Sequence, residues 1–458
     1  MATSLAPANP LDRLDILMAL AAARQPAHRI SGRVARISST YLVVSGLSKF
    51  VSIGDAVSIA GLGGTVLAEV ASIDADTINV TPFVADHRIE LGARVTAMSG
   101  QLTLSPHESW LGRTLNALGQ PIDDGAPLLT GDCALSIQGS PPSPMRRNRL
   151  GKPLMTGVKA IDLFTPICAG QRIGIFAGSG VGKSTLLAML SRAPSSDVTV
   201  LALVGERSRE VRDFLDDTLR DARSRVVAVV ATSDESPMMR RLAPSAAMCI
   251  AEYFRDCGKN VLLIVDSLTR YAHSMRELAL AADEPPVARG YPPSVFSALP
   301  RLLERAGTGE EGAGTITAIL SVLVDGDDHN DPIADATRGI LDGHIVLDRA
   351  IASQGRLPAV DPLTSLSRLA PKIRTKQQTQ FVTQLIEVIS RFEDTRDLRA
   401  IGGYKSGSDA TLDRALEIVP RVYEAMKQDL DDAPVQDVFA FLSQVLPGAP
   451  RQDSPFPR

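Results

Sequence analysis

Cysteine is scarce in this chain: four occur in 458 residues, Cys133, Cys168, Cys249 and Cys257, and no two form a C-x-x-C pair. Such spacing supports neither a disulfide framework nor a thiolate zinc site. Cys249 and Cys257 are read as buried thiols of one helix. The six histidines make no H-x-x-x-H pattern and no Cys/His cluster, so metal chemistry falls to oxygen ligands and phosphate. Long apolar runs are missing too. None reaches the roughly 18 residues that span a bilayer. The short apolar segment Ile16–Ala23 follows Asp12, Arg13 and Asp15, a negative flank that a secretory signal does not carry. The expected compartment is therefore cytosolic. Positive charge is not in excess: 48 basic against 52 acidic side chains give a net charge of −4, which argues against nucleic-acid binding as the main business.

A length of 458 residues exceeds what one core organises, and the texture changes along the chain. Leu11, Leu14, Leu17, Met18 and Leu20 define an apolar stripe on a candidate helix ending before Pro26. This helix (1–26) either packs on its own domain or docks on a partner. From 27 to 98, short alternating strands such as Gly32–Ile37, Tyr41–Val44, Gly64–Val70 and Thr77–Thr81 predict a small antiparallel β-barrel. Pro141–Arg149, rich in proline and arginine but without interleaved aromatics, reads as a solvated connector rather than a nucleic-acid patch. Continuous apolar strands at Arg172–Phe176, Val198–Val204 and Val261–Val265 alternate with helices, the pattern of an α/β fold whose parallel sheet is covered on both faces. This domain is taken as 99–370. A helical domain, 371–458, follows, with a disordered tail from Pro447.

One motif dominates. Ala177-Gly178-Ser179-Gly180-Val181-Gly182-Lys183-Ser184, with Thr185 next, closes a strand and opens a helix. Glycines let the backbone curl so that amide N–H groups face phosphate oxygens, and the helix start adds its positive dipole end. Lys183 is placed to reach the β- and γ-phosphates of a nucleoside triphosphate, and the Ser184 hydroxyl to ligate Mg2+. Asp266 ends the apolar strand Leu262–Val265 and is the expected metal partner. Glu206 ends another, in Val204-Gly205-Glu206-Arg207. It is either the carboxylate that orients and deprotonates an attacking water or the cap of the helix that follows, with Glu210 beside it. Carboxyl ends of a parallel sheet share one edge, so Glu206, Asp266 and the phosphate loop converge there.

These residues resemble a known family. Pro153–Asp162, the phosphate loop, Gly205–Val211, Asp266–Ala272, Gly290–Phe296, Ile340–Leu347, Pro358–Asp361 and Ser365–Arg368 are similar to the ATPases of flagellar and type III protein export, relatives of the catalytic subunit of rotary ATP synthases. The likeness runs from about Gly32 to Leu446 and implies a RecA-like P-loop core between a small N-terminal β-barrel and a C-terminal helical domain. By that resemblance Glu206 is the water-activating carboxylate, where non-catalytic rotary subunits carry glutamine. Arg207 and Arg270 match arginines near the γ-phosphate, Arg368 an arginine finger that reaches the neighbouring subunit's nucleotide, and Tyr404 the residue that packs on adenine.

The implied cofactors are ATP and Mg2+, and the implied assembly is a homohexameric ring. Its loop Glu284–Pro292 would line the pore, a regulatory stalk protein would meet the N-terminal helix, and export substrates or chaperones would meet a ring lying peripherally beneath a membrane export gate. Two features depart from the synthase branch. No counterpart of its acidic rotor-pushing segment stands in the C-terminal helices, which carry Ala415–Tyr423 instead, and Tyr291–Phe296 has the export form. The expectation is a flagellar export ATPase. A virulence-type secretion ATPase, a synthase subunit and a nucleotide-binding ring component without turnover are its rivals.

Overall fold

In a computed structural model of the chain, residues 29–84, 88–98, 100–324 and 331–446 are described. The candidate helix of residues 11–20 and the tail from 447 lie outside them. The described residues form two compact units that divide between Leu102 and Thr103.

The first unit is a closed barrel of six strands: β1 (Ser31–Ile37), β2 (Leu42–Ser45), β3 (Ala56–Gly61), β4 (Gly64–Ile73), β5 (Thr77–Pro82) and β6 (Arg94–Ala97), in the order β1-β2-β5-β4-β3-β6. Successive side chains of a strand point to opposite faces. In β5 this puts Ile78 and Val80 inside, against Val44, Val57, Ile59 and Val95. Closure pairs β1 with β6 and leaves no open edge for another chain to pair with. Bulges at Val34/Arg36 and Val70/Ser72 bend β1 and β4.

The second unit is built on a sheet whose main strands are β7 (Thr114–Asn116), β8 (Arg172–Ala177), β9 (Val198–Val204), β10 (Val226–Ala231), β11 (Asn260–Asp266), β12 (Thr315–Leu323), β13 (Gly343–Leu347) and β14 (Leu366–Ser367), in the order β14-β13-β8-β12-β11-β9-β10-β7. From β13 to β7 every pairing is parallel, and β14 returns antiparallel at the edge. Buried residues fill β9 and β10 from end to end, as two covered faces require. The expected fold class, an α/β P-loop core with an N-terminal barrel and C-terminal helices, is the one observed. The last helices, α4 (Lys376–Asp394), α5 (Ala410–Met426) and α6 (Val438–Val445), gather Val382, Leu385, Ile389, Val419 and Leu442 into a core of their own that reaches Leu163 and Phe164. Among the described residues no helix is long and apolar enough to cross a membrane.

One expectation needs correction. Cys249 is a buried residue of helix α2 (Pro237–Asp256), whereas Cys257 caps that helix and is exposed. The helix stops one residue too soon to enclose both.

Candidate functional site

The phosphate loop joins β8 to helix α1 (Lys183–Ser191). Gly180 and Gly182 take φ of +77° and +87°, left-handed values that residues with a Cβ rarely adopt, and a Cβ on Gly180 would meet only open space. The helix begins at Gly182 with no side-chain cap and no acid in its first turn. Its leading N–H groups therefore lack a side-chain acceptor, which suits a bound anion. Ser179, Ser184 and Thr185 are exposed, while Gly178 and Val181 are buried under the loop.

Strand order then brings the acids in. β12 separates β8 from β11, and β9 lies beyond β11. Leu203 pairs with Asp266, so Glu206, three residues further on, rises just past that aspartate on the same edge. The Lys183 ammonium donates directly to Asp266 and lies 3.8 Å from Glu206 Oε1. Asp266, 5% exposed, also accepts a 2.6 Å hydrogen bond from the Ser321 hydroxyl on β12. Glu206 is less engaged, because 3.8 Å is outside hydrogen-bond reach. Burial, and then the negative charge of Asp266, lift its carboxyl above the usual range, while Lys183 and Arg270 pull the other way. A carboxylate with raised proton affinity and open lone pairs suits a base; one already tied to a cation and a hydroxyl suits a metal ligand or anchor.

Gly205, at φ +69°, makes this approach possible. A Cβ there would lie 3.2 Å from Cβ of Arg270 and 3.3 Å from its Cγ, so glycine lets the arginine stem run along the backbone beside Glu206. Arg270 itself stands in the first turn of helix α3 (Leu268–Ala281), which Ser267 caps through the Arg270 amide.

Lys183, Glu206, Asp266 and Arg270 are thus brought together. Three expected site residues are not. Arg207 is 81% exposed and turns to Glu210 at 3.2 Å. Tyr404 belongs to the C-terminal core, with its hydroxyl 2.8 Å from Asp413 Oδ1. Arg368 follows β14, and its amide donates to the carbonyl of Asp342. That position is level with Arg172, at the amino end of β8, about 17 Å along the strand from the phosphate loop at 3.3 Å per residue. The residue that does lie over the loop is Leu357, 3.7 Å from where a Cβ of Gly182 would stand. Beside it opens a shallow cleft lined by Arg356, Leu357, Pro358, Tyr423 and Met426. The motif Pro358–Asp361 begins one residue later, but nothing about a leucine at 357 marked it. Ser321 was equally hidden, although a hydroxyl in the middle of the buried strand Thr315–Leu323 is a usable signal.

A strand–loop–helix phosphate cradle with a lysine, a strand-ending aspartate and an adjacent glutamate defines a P-loop nucleotide hydrolase. The comparisons narrow the class. Residues 157–367 match the nucleotide-binding domain of the ATP synthase alpha/beta family, and residues 374–444 the T3SS EscN ATPase C-terminal domain. A flagellum-specific ATP synthase of Agrobacterium fabrum is 55% identical over 424 residues, covering 93% of this chain and 89% of that protein. The SPI-2 type 3 secretion system ATPase of Salmonella typhimurium is 45% identical over 370 residues, covering 81% and 84%. Among solved structures, the assembled ATPase EscN of the enteropathogenic E. coli type III secretion system superposes with a TM-score of 0.83 at 38% identity, covering 90% of this chain and 98% of that one. EscN in complex with its central stalk EscO gives 0.82 at 38% identity, with the same coverage. The chain belongs to the flagellar and type III export ATPases of the ATP synthase alpha/beta family.

Proposed function

We propose that the chain hydrolyses ATP as one subunit of a homohexameric ring that drives export of flagellar proteins. The observation that carries the chemistry is the convergence of Lys183, Glu206 and Asp266 on one sheet edge beside an uncapped helix start. Lys183 and the amides of Gly178–Thr185 hold the phosphates. Ser184 and Asp266 are the oxygen ligands that fit Mg2+, which when bound neutralises phosphate charge. Glu206 accepts a proton from water as the water oxygen attacks the γ-phosphorus. The bond from that phosphorus to the β–γ bridging oxygen breaks, leaving ADP and phosphate. Arg270, whose charge already acts on Glu206, offsets the charge that develops. The cleft beside Leu357 receives the base. Tyr404 stays a candidate for stacking only if its loop moves from Asp413.

Arg368 works in trans, because its own phosphate loop is at the far end of the sheet. The ring closes when each subunit lends that arginine to the next. Two observations support assembly: EscN, at 38% identity, is described as assembled and with a central stalk. A stalk protein at the N-terminal helix, and a peripheral place beneath a membrane export gate with substrates or chaperones, complete the reading. The 55% identity to a flagellar relative favours the flagellar machine over the virulence type, and restored motility in a deletion strain distinguishes them. The direct test is Glu206→Gln. ATP still binds, while turnover falls by roughly 10²- to 10⁴-fold, the usual share of a general base. Undiminished turnover removes Glu206 from that role.

A further inference from the structure

Gln171 immediately precedes β8, at the opposite end of that strand from the phosphate loop, and is completely buried. Every polar group of its carboxamide is engaged. Oε1 accepts from the Cys168 amide at 2.8 Å, and Nε2 donates to the carbonyl of Asp342 at 3.1 Å and to Ser367 Oγ at 3.2 Å. The Ser367 hydroxyl spends its single proton on the carbonyl of Pro166 at 2.7 Å, so toward Gln171 it can only accept. The Asp342 carbonyl that Gln171 holds is also the one that receives the Arg368 amide at 3.0 Å.

Such bracing matters because β14 is two residues long and, among the described residues, pairs with one neighbour only, through Gly343 and His344. So short an edge strand has few ladder bonds to fix its direction. Arg368 is the next residue and is exposed. The backbone direction at that point sets where a long, rotatable guanidinium is presented.

We propose that Gln171 is a positioning residue for Arg368, clamping β14 to the amino end of the phosphate-loop strand so that the arginine is aimed at a neighbouring subunit's nucleotide. The inference rests on the reading that Arg368 acts in trans.

The test uses full-length chains mixed in pairs, with ATPase rate as readout. Glu206→Gln and Arg368→Ala are each nearly inactive alone. Mixed, they form some sites in which the Arg368→Ala chain supplies the phosphate loop and Glu206 and the Glu206→Gln chain supplies the arginine, so the rate exceeds the sum of the two. Gln171→Met is then added to one partner at a time. In the chain that lends only its arginine it lowers the recovered rate about tenfold or more, the scale of an ångström-sized misplacement. In the chain that lends only its phosphate loop it leaves that rate within about twofold. Equal losses in both arms overturn the proposal, since general destabilisation falls on either partner alike. Absence of recovery in the unmodified mixture sinks the trans-acting arginine and takes the proposal with it. If Gln171→Met yields no folded chain, Ser367→Ala in the same two backgrounds removes one arm of the clamp and reads the same asymmetry.

Discussion

The two ends of the central sheet treat charge differently. At the carboxyl end Lys183 is shared between Asp266 and Glu206, and Glu206 stands 3.8 Å off. At the amino end Arg172 bonds Asp342 through Nε at 3.1 Å and through its own backbone amide at 3.0 Å, and reaches Glu304 at 2.5 Å. One end leaves hydrogen-bonding capacity open for a substrate, with two acids competing for one ammonium. The other uses that capacity up. A site that must bind a tetra-anion and move a proton needs the first arrangement; a scaffold that must hold an edge strand in place needs the second. Arg368 is where the two meet: its backbone is tied into the satisfied end, and its side chain is left outside.

The sharpest way to break that contrast is Arg368→Ala. If this arginine serves a neighbouring site, ATP binding persists while turnover per subunit falls by about 10³-fold or more, the scale of other arginine fingers. The wild-type rate per subunit should also climb with protein concentration as rings assemble, whereas the variant's should stay low throughout. A flat wild-type curve, together with a monomeric mass, would leave the arginine no site to serve.

Asp162 shows a third treatment of charge, half-buried and with no ion pair among the described residues. Its oxygens accept from the Thr156 amide at 3.1 Å, the Thr156 hydroxyl at 2.7 Å and the Gly157 amide at 3.0 Å. Burial outweighs these bonds and lifts the carboxyl from its ordinary 3.8 to about 6. The folded state thus favours the protonated form. The stabilisation is complete below about pH 4, declines as the pH rises, and is gone once the pH passes about 6. Each tenfold gain in proton affinity is worth about 1.4 kcal/mol, so the change is at most about 3 kcal/mol. Denaturation of wild type and Asp162→Asn across pH 4–7 reads it: the asparagine chain lacks this component of the slope. Parallel curves would mean that Asp162 titrates normally. The turn it holds also carries contacts to Gln428, through the Lys159 amide and the Gly157 carbonyl, so loss of docking of the C-terminal segment should accompany the change.

What could be read from the residues alone was whatever is local. The phosphate loop, the strand ending in Asp266 and Glu206 after Val204 are contiguous patterns, and each proved to lie where a parallel sheet puts it. Barrel strands with clear alternation, such as Thr77–Thr81, were legible. Ala56–Gly61 and Arg94–Ala97 were not, because short stretches broken by serine, glycine or arginine carry little period. Arg207 and Arg270 look alike as arginines just past a strand-end motif, but helix geometry decides their fate. Arg207 sits at the cap of a short surface helix and finds Glu210 three residues on, while Arg270 lies against Gly205. Ser321 and Gln171 act on residues 55 and 196 positions away. Only strand order brings such pairs together, and no local pattern encodes it.

The smallest expected effect sharpens the comparison most cleanly, because it removes charge from the satisfied end. Arg172→Met keeps the stem and removes the guanidinium, which leaves Asp342 with the backbone amide of residue 172 and leaves Glu304 turned to solvent. The side chains are 17% exposed for Arg172, 24% for Asp342 and 49% for Glu304, so water screens part of the lost attraction. The cost should be about 1–2 kcal/mol, between the values for surface and buried pairs. It should appear as a lower denaturation midpoint, with nucleotide affinity within about twofold of wild type, since the phosphate loop is five residues of strand away. A large loss of nucleotide affinity with an unchanged midpoint would reverse the assignment. The amino end would then belong to the binding machinery, and the division of labour between the two ends of the sheet would have to be given up.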